Sequence, residues 1–251
     1  MTAFGVGILT KNRPELVVDL IAKVQALTET EHDLVVSVDH DDVTVAALEA
    51  VPGITVVTPL CAGIPANRNR LLAELADHDV NALIEDDHYP VVSGWEKPYL
   101  AALGTGVTQV IYRMSPAHGP IVFRNGPVVY RNLLGCPVVL MTREAYRQVG
   151  AWDQQHFGST YGLDDGQWAV RARRRGMLGK VRGVRGPWWP CLDDDGASWV
   201  DVHDPPSSDG KSAEQRAVEV GANGKYLEHF LRGYGPTWMP NPEETPDDVH
   251  P

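Results

Sequence analysis

NALIEDDHY, Asn81 to Tyr89, runs a short apolar segment straight into three adjacent carboxylates, Glu85, Asp86 and Asp87. Ala82, Leu83 and Ile84 have the character of a strand covered on both faces, as in the middle of an α/β sheet. Such a strand delivers its C-terminal residues into the crevice where ligands bind. Three carboxylates crowded there repel one another unless a cation or hydrogen-bond donors compensate them, so a divalent ion held by oxygen ligands is one reading. A solvated acidic turn is the other, and the sequence on either side decides between them.

Upstream, short apolar runs alternate with helix-like stretches. Strands are expected at Phe4 to Leu9, Leu34 to Asp39 and Ile54 to Val57, and helices at Pro14 to Leu27, Val43 to Ala50 and Pro65 to Ala76. This βαβ rhythm predicts an α/β fold with a mostly parallel central sheet flanked by helices. Downstream the pattern changes to short runs broken by Gly and Pro: Val107 to Tyr112, Ile121 to Phe123, Val128 to Tyr130 and Pro137 to Met141. Helices are expected at Thr142 to Val149, Asp165 to Arg175 and Ser212 to Leu231, giving a mixed C-terminal half. Pro236 to Pro251 is proline-rich, acidic and without periodicity, and is expected to be a loose tail.

A chain of 251 residues fits one large domain. Its net charge of -11 argues against a general nucleic-acid or membrane-surface coat. No run of eighteen apolar residues occurs and the N-terminus lacks a basic start, so a soluble, cytoplasmic protein without a membrane span is expected. Cys61, Cys136 and Cys191 are odd in number and lack metal-finger spacing, which favours reduced thiols.

Parallel strands share one ligand-binding edge, so the residues after each strand belong together. The first strand ends in LTKNRPE, where Thr10, Asn12 and Arg13 offer hydrogen bonds and charge at a turn on which a nucleotide can rest. The second ends at Asp39, a candidate for the same crevice, although a strand-end Asp also serves as a cap; Asp41 and Asp42 are placed to cap the next helix. In GIPANRNRLL, Gly63 to Leu72, Arg68 and Arg70 stand near a helix start that favours anions, with diphosphate the plausible guest. Positions i and i+2 face different ways, so one of the two at most reaches the site.

These pieces, in this order, resemble the nucleotide-sugar half of the family 2-like glycosyltransferases with the GT-A fold. In that family a P-T-Y-N-R-P-like turn, a strand-end Asp, an A-R-N-x-G helix and a D-x-D-type acidic motif follow one another. Leu9 to Pro14, Asp39, Asn67 to Asn69 and Glu85 to Asp87 occupy those places here. The family's later V-G-G-F-D turn and E-D-x-D-L-x-x-R-x-x-x-x-G pattern are matched by VGAWD and by GLDDGQWAVRARRRG, with Asp164 and Asp165 on E-D, Arg171 on the arginine and Gly176 on the glycine. The resemblance spans Gly5 to Gly176. Asn67 replaces the usual alanine, His40 and Asp41 replace a D-G-S turn, and Glu85 stands where Asp is more frequent.

The resemblance implies a GT-A, Rossmann-like nucleotide-diphospho-sugar transferase domain over residues 1–235, with a donor half over 1–104 and an acceptor half over 105–235. It implies a metal-dependent, inverting sugar transfer from a nucleotide diphosphate sugar, with a UDP-sugar favoured. Asp165 would be the base and Asp164 would bind the acceptor or orient that base. Asp87 would coordinate Mn2+ or Mg2+, while Glu85 or Asp86 holds the donor ribose or a metal-bound water. His203 in WVDVHDPP would be a further metal ligand, against the commoner fate of a solvated loop histidine.

Two stretches lie outside that pattern. Seven basic residues between Arg171 and Arg185 form either a solvated helix face or a grip on a polyanionic acceptor such as DNA or a phosphorylated carrier, beside saccharides and small molecules. WWPCLDDDGASW, Trp188 to Trp199, holds a rival acidic triplet, Asp193 to Asp195, read as a loop because no apolar strand is seen to feed it. A nucleotidyltransferase and a non-catalytic nucleotide-sugar-binding protein remain the other classes compatible with such a site.

Overall fold

The computed structural model describes residues 3–59, 63–105, 107–112, 121–131, 136–158, 162–176, 189–192, 199–201, 211–232 and 239. Strand β1 (Phe4–Thr10) is buried at every position. Helix α1 (Pro14–Leu27) follows because Pro14 suits a first turn that needs no N–H, and Val17, Leu20, Ile21 and Val24 recur at helical spacing. All four are buried, each contributing roughly 1.5–3 kcal/mol of apolar burial. Then come β2 (His32–Val38), α2 (Asp42–Leu48), β3 (Thr55–Val57), α3 (Ile64–Glu74) and β4 (Val80–Glu85).

Past β4 the chain forms β5 (His88–Pro90), α4 (Lys97–Leu103), β6 (Gln109–Ile111), β7 (Ile121–Asn125), β8 (Val128–Arg131) and β9 (Val138–Thr142). Helices α5 (Arg143–Val149), α6 (Gln154–Phe157) and α7 (Asp164–Arg174), strands β10 (Trp189–Leu192) and β11 (Trp199–Asp201), and helix α8 (Ala213–Leu231) complete it. Nine strands make one sheet in the order β3, β2, β1, β4, β9, β6, β10, β8, β7, and β5 pairs with β11 in a second. From β3 to β4 the sheet is parallel; β9 is antiparallel to β4 and to β6, so the far half is mixed.

Both faces are covered. Asn81 on β4 donates to the Leu75 carbonyl at the end of α3 (3.2 Å). Phe4, which leaves β1 on the opposite face, meets Trp95 just before α4 at 6.5 Å between ring centroids. Because β9 runs against β4, its beginning lies where β4 ends, and the Glu85 N–H donates to the Pro137 carbonyl at 2.8 Å. That reversal brings the start of β9 to the acidic end of β4.

The expected α/β architecture with its mixed second half is therefore the observed one, with additions. Elements β5, α4, α6, β10 and β11 are present beyond those that the sequence pattern predicts. Trp189–Leu192 is an apolar strand running straight toward Asp193, so the expectation that no strand feeds the rival triplet is corrected; the triplet itself lies outside the described residues. The expected loose tail is tied down at one described point, where Met239 bridges Gly150 and accepts from the Ala151 N–H at 3.2 Å. Among the described residues, no helix is long and apolar enough to cross a membrane.

Candidate active site

The turns after β1 and β2 meet at one edge, where the Asp39 N–H donates to the Thr10 carbonyl at 3.0 Å. Asp39 is not the cap of the next helix. One oxygen, Oδ2, accepts from Lys11 Nζ (2.9 Å) and from the Gly63 N–H (3.0 Å), while Oδ1 is buried with no hydrogen-bond partner. An orphaned carboxylate oxygen in a residue only 2% exposed is costly unless a ligand donor completes it. The cap is Asp41, which accepts from the Val43 N–H at 3.1 Å and from the Asn12 N–H at 2.9 Å. Gly63 sits at φ 107, and a Cβ there would lie 1.9 Å from the Gly158 carbonyl oxygen, so glycine lets α3 start against the α6 region.

Three non-glycine residues have positive φ among those described: Asn12 (54), His40 (50) and Leu163 (70). The first two follow β1 and β2, and the third immediately precedes Asp164. Positive-φ backbone thus occurs at the turns after β1 and β2 and at the start of α7, a conformation that functional sites often hold.

At the end of β4 the three acids part company. Asp86 turns inward, accepting from Thr10 Oγ1 and Arg13 Nη1, each at 2.7 Å. Burial raises its pKa against the pull of Arg13 and Thr10. Asp87 accepts from Arg13 Nη1 at 3.3 Å, and its Oδ1 lies 2.7 Å from His88 Nδ1. Burial works to raise the Asp87 pKa, but the hydrogen bonds from His88 and Arg13 outweigh it and hold the carboxyl below its ordinary value. Thr10 and Arg13, expected to face a nucleotide, therefore brace these acids.

Glu85, Asp87 and His88 each offer a ligand atom, all within 4.8 Å of one another. Two carboxylate oxygens and an imidazole suit Mn2+ or Mg2+, and the Asp87 contact fixes the His88 ring. His88 stands inside the NALIEDDHY motif, yet sequence reasoning misses it, because the family resemblance points to His203 as the histidine ligand. His203 lies outside the described residues; β11, the strand before it, ends at Asp201 directly opposite His88.

Arg68 is the largest departure from expectation. Its side chain is 1% exposed; Nη2 reaches Glu85 Oε1 at 2.6 Å, and Nη1 reaches Asp164 Oδ2 at 2.9 Å and Asp165 Oδ1. Buried and engaged with three carboxylates, it is not placed to grip a diphosphate from solvent. Burial alone would lower its pKa, but Asp165 and its neighbours raise it, so it is always charged. Arg70, two positions on, faces outward and pairs with Glu74 at 2.5 Å.

Asp165 is 5% exposed. Its Oδ1 accepts from Arg68 and from Trp152 Nε1 (3.1 Å), and its Oδ2 from the Cys136 N–H (2.9 Å). Burial and the adjacent Asp165 raise Asp164 to about 7, against Arg68. Loss of hydration likewise raises Glu85 to about 7, against Arg68 and with the neighbouring Asp87 and Asp165 adding to it. Trp152 stacks on Trp168 at 4.8 Å, and Trp168 on Trp189 at 5.8 Å, a ladder of indoles behind Asp165. The described tryptophans are all packed in the core.

Asn69 locks the Trp152 segment to α3 through Oδ1 to the Trp152 N–H (2.8 Å) and Nδ2 to its carbonyl (3.0 Å). Asn67, the residue that departs from alanine, accepts from Ser37 Oγ at 2.7 Å. Arg171 is fully buried, donating to the Val149 and Ala151 carbonyls at 2.6 Å each, so it is removed from any polyanion grip. Arg174 lies over the Phe230 ring at 5.7 Å, and residues 177–185 of the basic stretch lie outside the described residues.

No protein-family model and no curated protein matches the chain. Solved structures do. A mannosyltransferase from Pyrobaculum calidifontis, in complex with GDP-Man and Mn2+, superimposes with TM-score 0.58 at 14% identity, covering 92% of this chain and 70% of that one. Glucosyl-3-phosphoglycerate synthase from Mycobacterium tuberculosis, with Mn2+, UDP and phosphoglyceric acid, gives TM-score 0.59 at 16% identity over 92% and 78%. TarS from S. aureus, with UDP-GlcNAc, gives 0.54 at 13% over 92% and 71%. The chain has the GT-A fold of these proteins.

Proposed function

We propose that this protein is a metal-dependent, inverting glycosyltransferase that moves a sugar from a nucleotide diphosphate sugar, a UDP-sugar first, to an acceptor hydroxyl. The observation that carries this reading is the single guanidinium, Arg68, touching both Glu85 of the metal-competent trio and the Asp164–Asp165 pair. Acids 80 residues apart in sequence thereby face one cleft in a GT-A fold. The solved relatives bind GDP-Man, UDP or UDP-GlcNAc, and two of them hold Mn2+, which supports the same donor class here.

Residues 1–104 are assigned to the donor. Asp39 Oδ1 is the acceptor atom open to a base or ribose, with Lys11 and the Asn12 turn beside it, and Asp86 braces the floor through Thr10 and Arg13. Glu85, Asp87 and His88 would hold the cation, with His203 a further candidate from sequence. The chemistry such a cation supplies is neutralisation of charge on the departing diphosphate. Residues 105–235 are assigned to the acceptor, with Asp165 taking its hydroxyl proton and Asp164 beside it. With Arg171 buried, saccharides and small molecules take precedence over DNA as acceptor. The buried free thiols of Cys136 and Cys191 favour a reducing compartment such as the cytoplasm.

A thermal-shift screen of nucleotide sugars with and without Mn2+, followed by product analysis, tests the reading, since a ligand bound only by the folded state raises its apparent stability. Mn2+-dependent stabilisation and release of nucleoside diphosphate are expected. Release of pyrophosphate would assign a nucleotidyltransferase, and binding without turnover a nucleotide-sugar-binding protein.

A further inference from the structure

We propose that Arg68 is a positioning residue that aims the Asp165 carboxylate, and that it is not a ligand of the donor diphosphate. The inference rests on the functional reading above for what Asp165 does, but its physical content stands apart from activity. A carboxylate has about four lone-pair sites. On Asp165, among the described residues, Arg68 Nη1 and Trp152 Nε1 both donate to Oδ1, and the Cys136 N–H donates to Oδ2. The Cys136 thiol hydrogen-bonds to the same carboxylate, so Asp165 is held in one orientation by the donors around it.

Arg68 holds the carboxylate from a rigid base. It rises from the first turns of α3, its guanidinium lies over the Trp152 ring at 5.4 Å, and Trp152 is itself latched to α3 through Asn69. The two ends of the guanidinium divide their work, Nη1 to Asp164 and Asp165 and Nη2 to Glu85. Only a planar fork with donors on both nitrogens can span the two acid groups at once; an ammonium reaches one of them. Arg68 thus sets the spacing between the metal side of the cleft and the base.

Arg68→Lys separates this role from diphosphate binding, because lysine is itself an effective phosphate binder. Under the positioning role, Arg68→Lys keeps its Kd for UDP in Mn2+, measured by calorimetry, while kcat falls about 10²-fold through misplacement of the base. A preserved kcat in Arg68→Lys would overturn it, since lysine can replace an arginine that only grips phosphate. A stability cycle tests the same contact without turnover. Arg68→Met leaves three carboxylates crowded without their cation and is expected to lower the urea midpoint; adding Asp165→Asn, which removes one of those charges, should recover part of the loss. Strictly additive effects of Arg68→Met and Asp165→Asn would overturn the contact. If Arg68→Met does not fold, the Arg68→Lys and Asp165→Asn pair closes the same cycle. Absence of sugar transfer by the wild type would refute the proposed function alone, since the stability cycle still decides the role of Arg68.

Discussion

Two acidic clusters meet at Arg68 and differ in how open they are. At the end of β4, Glu85 and Asp87 keep 28% and 21% of their side chains open; Glu85 is met by the buried Arg68, and Asp87 by Arg13 and the buried His88. At the start of α7, Asp164 and Asp165 keep 8% and 7%, and their charge is met by a buried arginine, an indole and a backbone N–H. Open carboxylates can exchange a proton or a donor for a cation at little cost. Closed ones are held in one geometry, which suits a group that must meet a substrate hydroxyl at a fixed angle. The difference teaches that charge pattern alone does not assign roles; the degree to which each carboxylate is already satisfied does.

The sharpest way to break this contrast is Asp165→Asn. It preserves shape while removing the basic oxygen, and turnover is expected to fall by roughly 10² to 10⁴ while donor binding survives. Steady-state kinetics beside calorimetry with UDP and Mn2+ separates the two effects. Near-normal turnover would take Asp165 out of the chemistry and leave the closed cluster a structural one.

The open cluster is probed next. Asp87→Ala should bring the affinity for UDP in Mn2+ down to that measured with chelator. His88→Ala, which removes both a candidate ligand and the brace on Asp87, should weaken metal binding about 10- to 100-fold. Unchanged affinity in His88→Ala would return the histidine position to His203.

Titration sharpens the comparison further. Glu85 and Asp164 are raised from 4.5 and 3.8 to about 7, so between those values the folded protein binds more protons than the unfolded chain. Stability of the metal-free protein must then fall as pH rises from about 4 to about 7 and level off above. For a chain of this size each kcal/mol lost moves the melting temperature by about 2–4 °C. Mn2+ should flatten the slope through Glu85, and Asp164→Asn should flatten the rest. A metal-free melting temperature that climbs from pH 5 to pH 8 would contradict both shifts.

Much of the parallel half of the sheet is legible in the amino-acid sequence. Helix α1 can be placed to the residue because Pro14 marks its start and its apolar positions repeat at helical spacing. The β4 terminus is legible because an apolar run meeting three acids is a sharp boundary. Strand β10, WPCL, is not: four residues with a proline and no alternation carry no period to read. Helix spacing says correctly that Arg68 and Arg70 diverge, but it cannot say what Arg68 meets. Its partners Asp164 and Asp165 lie 96 and 97 residues away and are delivered by the reversal of β9 and the fold of α7. Local pattern finds the acids; only tertiary packing finds their cation.

The smallest expected effect is also a clean control on that lesson. Arg70 stands two positions from Arg68 on the same helix, yet it pairs with Glu74, one turn on. An exposed i,i+4 pair of this kind is worth about 0.3–0.5 kcal/mol, so Arg70→Ala should move the urea midpoint barely at all. Nucleotide affinity and turnover should match the wild type. If Arg70→Ala instead weakened UDP binding, the N-terminal end of α3 would be gripping the diphosphate after all, through the arginine that faces outward, and the division of labour between the two arginines would have to be redrawn.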